Sequence, residues 1–195
     1  VYRLAIRFGA IDVAGAAHRK AHARDIPRLG GVAIIGAFYA PLIGLLLVDS
    51  DIGRRFLKDP LLAYGLLGGG LVIAALGVYD DIRGVSARRK FLVQFLVAGA
   101  VVALGFRIRI LDLPTLPVID GLITYPLSVI WIVGLTNAVN LIDGLDGLAA
   151  GLAALALTPM IVIALLSGNL VLALVCCTLL GALLGFLLFN FHPAR

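Results

Sequence analysis

From Gly31 to Phe189 the chain is a succession of apolar runs, most near twenty residues long and separated by short polar breaks. About 20 consecutive apolar residues make a helix long enough to cross the hydrocarbon core of a bilayer. The runs predict spans at roughly Gly31–Val48, Leu61–Tyr79, Phe91–Phe106, Leu122–Thr136, Leu148–Ser167 and Leu170–Phe189, the fourth being the shortest. Composition agrees. Hydrophobic residues make up 62% and charged residues 14%, with a mean hydropathy of +1.10, whereas soluble domains carry about 45–50% apolar and about 25% charged residues. A water-soluble fold is therefore excluded, and the expected class is an all-α polytopic membrane bundle of about six spans. No linker interrupts residues 1–195, which read as one transmembrane domain. Val1–Ile11 reads as the tail of an earlier helix and Arg195 follows an apolar run directly, so the domain is expected to be incomplete at both ends. No signal peptide is recognisable in Val1–Ala10, which contains Arg3 and Arg7.

Six spans place the loops alternately on two sides. One side carries Arg3, Arg7, Arg19, Lys20, Arg24, Arg28, Arg83, Arg88, Arg89, Lys90 and Arg195, which is 11 basic residues. The other carries Arg54, Arg55, Lys58, Arg107 and Arg109, which is 5. Excess Lys and Arg marks the cytoplasmic side, so the first side is expected to face the cytoplasm. The net charge of +5 follows from that bias, and nucleic acid is not an expected partner. All 11 acidic residues are Asp. Cys176 and Cys177, adjacent in an apolar run, read as small buried hydrophobes and not as a metal site. Gly65-x-x-x-Gly69 and Gly181-x-x-x-Gly185 read as places where helix backbones approach closely. Gly68-Gly69-Gly70 lies mid-span and lacks the Lys-Ser/Thr of a phosphate loop.

Four polar clusters gather on the expected cytoplasmic side, each near a membrane boundary. The first is Arg19-Lys20-Ala21-His22 followed by Pro27-Arg28-Leu29-Gly30-Gly31. The second is Asp80-Asp81, followed by Arg83, Arg88, Arg89, Lys90 and Gln94. The third runs from Asn137 through Asn140, Asp143 and Asp146 to Gly147. The fourth is Phe189-Asn190-Phe191-His192-Pro193-Ala194-Arg195.

Asp80-Asp81 reads either as a simple helix end or as a site. Two adjacent carboxylates repel each other unless a cation is near, and Asp is unfavourable at a helix C-terminus. In the third cluster, three-residue steps place successive side chains 60° apart on an unbroken helix. Gly144 and Gly147 suggest a break, with Asp146 as N-cap of the next helix. Polar groups at a membrane edge are costly unless they line a hydrated cavity, pair or bind ions. All-oxygen ligands with few carboxylates suit Mg²⁺, which keeps waters and is completed by substrate phosphates; Mn²⁺ is the other candidate. Nearby Arg and Lys suit phosphate, Arg by a bidentate fork and Lys as a point charge.

In this order the clusters resemble the polyprenyl-phosphate N-acetylhexosamine-1-phosphate transferases, glycosyltransferase family 4. The matching pieces are Arg19-Lys20-x-His22 with Pro27-Arg28-x-Gly30-Gly31, Asp80-Asp81 with Lys90 and Gln94, Asn137-x-x-Asn140-x-x-Asp143-Gly-x-Asp146-Gly-Leu-Ala, and Phe189-Asn190-x-x-Pro193-Ala194. The third is the most specific. Pro27-Arg28 looks more like the undecaprenyl-phosphate N-acetylglucosamine-1-phosphate type than the muramoyl-pentapeptide type. The stretch from Asp12 to Arg19 departs from the family pattern, which leaves Asp12 unassigned. The pattern would continue past Arg195 with a Gly-Asp motif and a His-rich loop, and the family's first helix precedes Val1. What is present looks like the middle of a ten- or eleven-helix enzyme, so residues 1–195 alone are expected to be inactive.

The resemblance implies transfer of a sugar-1-phosphate from a UDP-sugar to polyprenyl phosphate with release of UMP. This is the first membrane step of cell-envelope polysaccharide synthesis, in a bacterial inner membrane and at its cytoplasmic face. It implies Asp80 and Asp81 as catalytic residues and Asn140, Asp143 and Asp146 as metal and nucleotide ligands. Lys20, His22, Arg28, Lys90, Asn137 and Asn190 would contact substrate. A homodimer is compatible with it. Two other classes compete. Intramembrane prenyltransferases also use Asn/Asp clusters with Mg²⁺ on prenyl diphosphates, but at wider spacing than the steps of three here. A secondary transporter would place its polar site near the bilayer midplane, whereas these clusters lie at one boundary.

Overall fold

The computed structural model describes residues 11–12, 26–27, 30–108 and 117–191. Ile11–Asp12 (β1) and Ile26–Pro27 (β2) pair antiparallel, Ile11 opposite Pro27 and Asp12 opposite Ile26. Everything else with regular structure among the described residues is helical. The helices are α1 Gly30–Leu47, α2 Asp51–Phe56, α3 Pro60–Arg83, α4 Ala87–Ala103, α5 Pro117–Ile142, α6 Leu148–Leu166 and α7 Leu170–Asn190. The all-α membrane bundle expected from the apolar runs is what forms.

Five of these helices, α1, α3, α5, α6 and α7, are long and apolar enough to cross a membrane. The sixth expected span differs. It forms α4, but this helix has 17 residues and opens with Arg88, Arg89 and Lys90. At ~1.5 Å per residue it is about 25 Å long, short of the ~30 Å hydrocarbon core. Long basic side chains at such an end can extend their charge to the interface while their stems remain in apolar surroundings.

The exterior is apolar: Leu47, Leu141 and Leu166 are each more than four-fifths exposed. In water this surface would be a liability, but against lipid tails it is the matching solvent. The interior is built from small side chains. Ala150, Ala154, Leu157, Cys176 and Leu183 form the tightest cluster, with Ile34, Ile161 and Phe186 packed against it. This joins α6, α7 and α1. A second group packs α3, α4 and α5, and α1 connects the two. At that junction the Tyr39 hydroxyl donates to the Leu67 carbonyl at 2.7 Å.

Gly65-x-x-x-Gly69 behaves as expected. A Cβ on Gly69 would lie 2.6 Å from Val101 of α4, and one on Gly65 would lie 3.1 Å from Phe106. Within this stretch α3 widens into a π turn, Gly65–Gly69. Gly181 and Gly185 correct the second expectation, because both face open space with nothing within 4 Å. The neighbouring Ala182 and Leu183 are the residues that turn inward on α7. The cysteines also part company. Cys176 is buried as expected, but Cys177 lies about 100° round the helix and is exposed.

The helix ends segregate into two polar layers. One contains the start of α1, the end of α3, the start of α4, the α5–α6 turn and the end of α7. The opposite layer contains α2 and the α6–α7 turn.

Candidate active site

Asp80 lies in the last turn of α3, and the chain then turns through Gly84 at φ +68° into α4. Its carboxylate is used on both oxygens. Oδ1 accepts the Val85 amide at 2.8 Å and Oδ2 accepts Lys90 Nζ at 2.8 Å. The helix-end reading of Asp80 is thus correct in part: the side chain fastens the α3–α4 turn. It also joins α3 to α4 through an ion pair, which a plain helix end would not do.

The pairing has an electrostatic reason. Asp80 sits at the negative C-terminus of α3, and Lys90 follows Arg88 and Arg89 at the positive N-terminus of α4, which has no acidic residue in its first turn. Each charge is at the unfavourable pole of its own helix. Contact between them offsets both penalties. The lysine side chain is 19% exposed and the aspartate 27% exposed, so water screens this pair less than a surface one.

Lys90 Nζ also donates to Asn140 Oδ1 of α5 at 2.9 Å. One turn deeper, Asn137 Nδ2 donates to Gln94 Oε1 at 2.7 Å. Lys90 and Gln94 are four apart on α4, while Asn137 and Asn140 are three apart on α5. The antiparallel helices therefore meet in two polar rungs, Lys90–Asn140 outside and Gln94–Asn137 inside. Gln94 is buried at 3% exposure. Its role was invisible from the sequence alone, which supplied the residue but not its partner across 43 positions.

Beyond Ile142 the helix stops, so Asn137 and Asn140 lie on α5 while Asp143 and Asp146 lie in the turn. The N-cap of α6 falls to Gly147 and not to Asp146. Gly147 has φ +71°, and a Cβ there would stand 3.2 Å from the Asn190 carbonyl at the end of α7. Only glycine meets both demands. This close approach brings Asn190 beside the turn that holds Asp143 and Asp146. Asp143 is exposed, yet partial burial of its carboxyl among neighbouring atoms raises its pKa above the ordinary carboxylate value. Asp81 and Asp146 are half-buried. Lys20, His22 and Arg28 lie outside the described residues, as does the side chain of Asp12.

Among the described residues no three His, Cys, Asp or Glu side chains stand close enough to hold a metal ion by themselves. The oxygen donors at this end are nevertheless of the kind Mg²⁺ takes. That ion is typically bound through one or two carboxylates plus substrate phosphates, with no complete protein cage.

Comparison with known proteins assigns the family. The model of glycosyl transferase family 4 matches residues 63–195. The chain belongs to glycosyl transferase family 4. A probable undecaprenyl-phosphate N-acetylglucosaminyl 1-phosphate transferase of Bacillus subtilis strain 168 is 39% identical over 197 residues, covering 100% of this chain and 52% of the relative. A decaprenyl-phosphate N-acetylglucosaminephosphotransferase of Mycolicibacterium smegmatis is 36% identical, covering 98% of this chain and 49% of the relative. A phospho-N-acetylmuramoyl-pentapeptide-transferase of Desulfotalea psychrophila is 34% identical, covering 88% and 54%. The chain thus spans about half the length of the curated relatives it matches. No solved structure matches it.

Proposed function

We propose that the protein transfers N-acetylhexosamine-1-phosphate from a UDP-sugar to polyprenyl phosphate and releases UMP, at the cytoplasmic face of a bacterial inner membrane. The observation that carries this reading is Lys90, held between Asp80 and Asn140 at the basic N-terminus of α4. An ammonium group has three N–H donors. Two are taken by Asp80 and Asn140, which fixes the third at the membrane boundary for a phosphate oxygen. The relatives' names supply the substrate class, and the Lys/Arg excess at this end supports the cytoplasmic side.

In this reaction the lipid phosphate attacks the β-phosphorus of the UDP-sugar and UMP leaves, so the anomeric bond stays intact. A phosphate monoester has a second pKa near ~6 and is largely dianionic at neutral pH. Strong general-base catalysis is therefore not required. The work is positioning and charge neutralisation. Lys90 holds one phosphate, with Asn140 and Asp80 fixing its ammonium in place. Asp81, which follows Asp80 on α3, would orient the acceptor. Asn137 and Asn190 border the donor side. Asn140, Asp143 and Asp146 are the residues that would hold Mg²⁺ together with the diphosphate, and the ion would neutralise charge developing on the leaving UMP. Lys20, His22 and Arg28 complete the phosphate contacts in this proposal.

The test is transfer of labelled sugar-phosphate to polyprenyl phosphate by the full-length parent protein, with Asp80→Asn and Asp143→Asn measured singly. Loss of turnover in both, with Mg²⁺ removal abolishing and Mg²⁺ addition restoring wild-type activity, is expected. Wild-type turnover in both variants would overturn the assignment.

A further inference from the structure

We propose that a groove between α2 and the α6–α7 turn, in the layer opposite the candidate active site, holds the headgroup of an anionic phospholipid; this goes beyond the transferase reading and does not rest on it. The groove measures about 640 Å³, within the roughly 300–1,000 Å³ of ligand pockets. One wall carries Arg55, in the last turn of α2, and Lys58, which follows that helix. The other wall is residues 167–171, the α6–α7 turn and the start of α7. Gly53 and Phe56 of α2 are buried and α2 packs against α7, so the fold holds the two walls in place.

The charges in the groove are unbalanced. Arg54, next to Arg55 in the chain, shows what a neutralised cation looks like here: it pairs with both Asp49 and Asp51. Among the described residues Arg55 and Lys58 have no carboxylate within ion-pair distance, and no acidic residue lines the groove. Asp59 follows Lys58 but takes the N-cap position of α3, where the positive helix end favours a carboxylate. The opposite wall adds neutral donors. Ser167 contributes a hydroxyl, and the Val171 amide, in the first turn of α7, has no carbonyl partner among the described residues. A guanidinium fork, an ammonium, a hydroxyl and a backbone N–H together suit phosphate oxygens. What selects a lipid over a free anion is the apolar surface that meets these groups. Leu170 lines the groove and is exposed, and so are Leu57 and Leu166, each adjoining a lining residue in the chain. Cations beside exposed leucines match a molecule with a phosphodiester at one end and hydrocarbon below it. A zwitterionic lipid would bring its own cation toward Arg55 and Lys58, so a net negative headgroup such as that of phosphatidylglycerol is favoured.

The test places the full-length protein in phosphatidylcholine nanodiscs with a trace of phosphatidylglycerol that carries a diazirine near the top of one acyl chain. After irradiation, label within 55–61 or 166–171 is expected, and label confined to other segments would overturn the proposal. The same diazirine on phosphatidylcholine is expected to label these segments about fivefold less; equal labelling would overturn the choice of an anionic headgroup. Arg55→Gln combined with Lys58→Gln is expected to lower the phosphatidylglycerol label there about tenfold. Arg54→Gln, which removes a cation already paired, is expected to stay within about twofold. No loss in the double variant, or the same loss in Arg54→Gln, would overturn the assignment to Arg55 and Lys58. Inorganic phosphate in large excess is expected to leave the label in place, whereas displacement would give the groove to a free anion and overturn the lipid. None of these readouts requires sugar-phosphate transfer, so failure of the transferase reading and failure of this one are seen separately.

Discussion

At the α2 end of the bundle, Arg54 pairs with Asp49 and Asp51, five and three residues away, and the three side chains are 60%, 85% and 86% exposed. At the α4 end, hydrogen bonds join residues 43 and 50 positions apart, and the ion pair at their centre is about one-quarter exposed or less. Both ends carry Asp, Arg and Lys, so composition does not distinguish them. Distance along the chain does. Exposed local pairs contribute about 0–1 kcal/mol and form wherever a polar loop is solvated. Hydrogen bonds to a charged group in partial burial contribute about 1.5–3 kcal/mol and exist only once three helices have packed in one register. The second kind is the signature of a site that the fold assembles.

The contrast can be broken most directly by neutralising one cation at each end. Lys90→Met is expected to lower sugar-phosphate transfer by the full-length protein about 10²–10³-fold, the usual loss when one preorganised donor is removed. Arg54→Met should stay within twofold of wild type. Equal losses would erase the distinction between the ends.

A pair of glycines sharpens it next. Gly147 at the site end and Gly168 at the opposite end have φ +71° and +67°, but only Gly147 is crowded. Alanine in a left-handed conformation costs about 1–2 kcal/mol. In thermal unfolding Gly168→Ala should lose about that much, and Gly147→Ala clearly more because the Asn190 carbonyl must move. Equal losses would mean that the α5–α6 turn is not pinned against α7. Gln94→Leu should destabilise by about 1–3 kcal/mol, because Asn137 loses an acceptor in a buried place. Asn169→Ala, which removes the side-chain acceptor of the Leu172 amide at 3.0 Å, should cost about 1 kcal/mol.

The smallest effect is a pH-dependent one at Asp143. Its pKa in the folded protein is raised by partial burial, so ionised Asp143 costs stability above the carboxylate range, and the cost fades as pH falls through that pKa. Asp143→Asn should therefore unfold at a slightly higher temperature than wild type at pH 7 and at the same temperature in acid, while losing transfer. A lower unfolding temperature at pH 7 would show the carboxylate to be stabilised where it sits.

Much of this was legible in the residues. Lipid demands uninterrupted apolar length, so the spans and the clusters between them could be read directly, and the basic excess located the polar face. The failures have a common cause. Which side of a helix faces a neighbour is weakly written when every side is apolar, so Gly181, Gly185 and Cys177 were assigned inward although they point outward. The cross-helix register that pairs Gln94 with Asn137 is likewise absent from the local sequence. The N-cap went to Gly147 because contact with the end of α7 decides that turn, and such a contact leaves no trace in the motif itself.

The claim on which all this depends is that Lys90 and Asn140 act as one unit on phosphate. A double-mutant cycle on the transfer rate, with Lys90→Met, Asn140→Ala and the combined variant in the full-length protein, measures that coupling. The expected result is non-additivity, with the double variant losing clearly less than the product of the two single losses, because the share of Asn140 that orients the ammonium goes with Lys90 while its share in holding Mg²⁺ remains. Losses that simply multiply would show two independent residues and contradict the paired site.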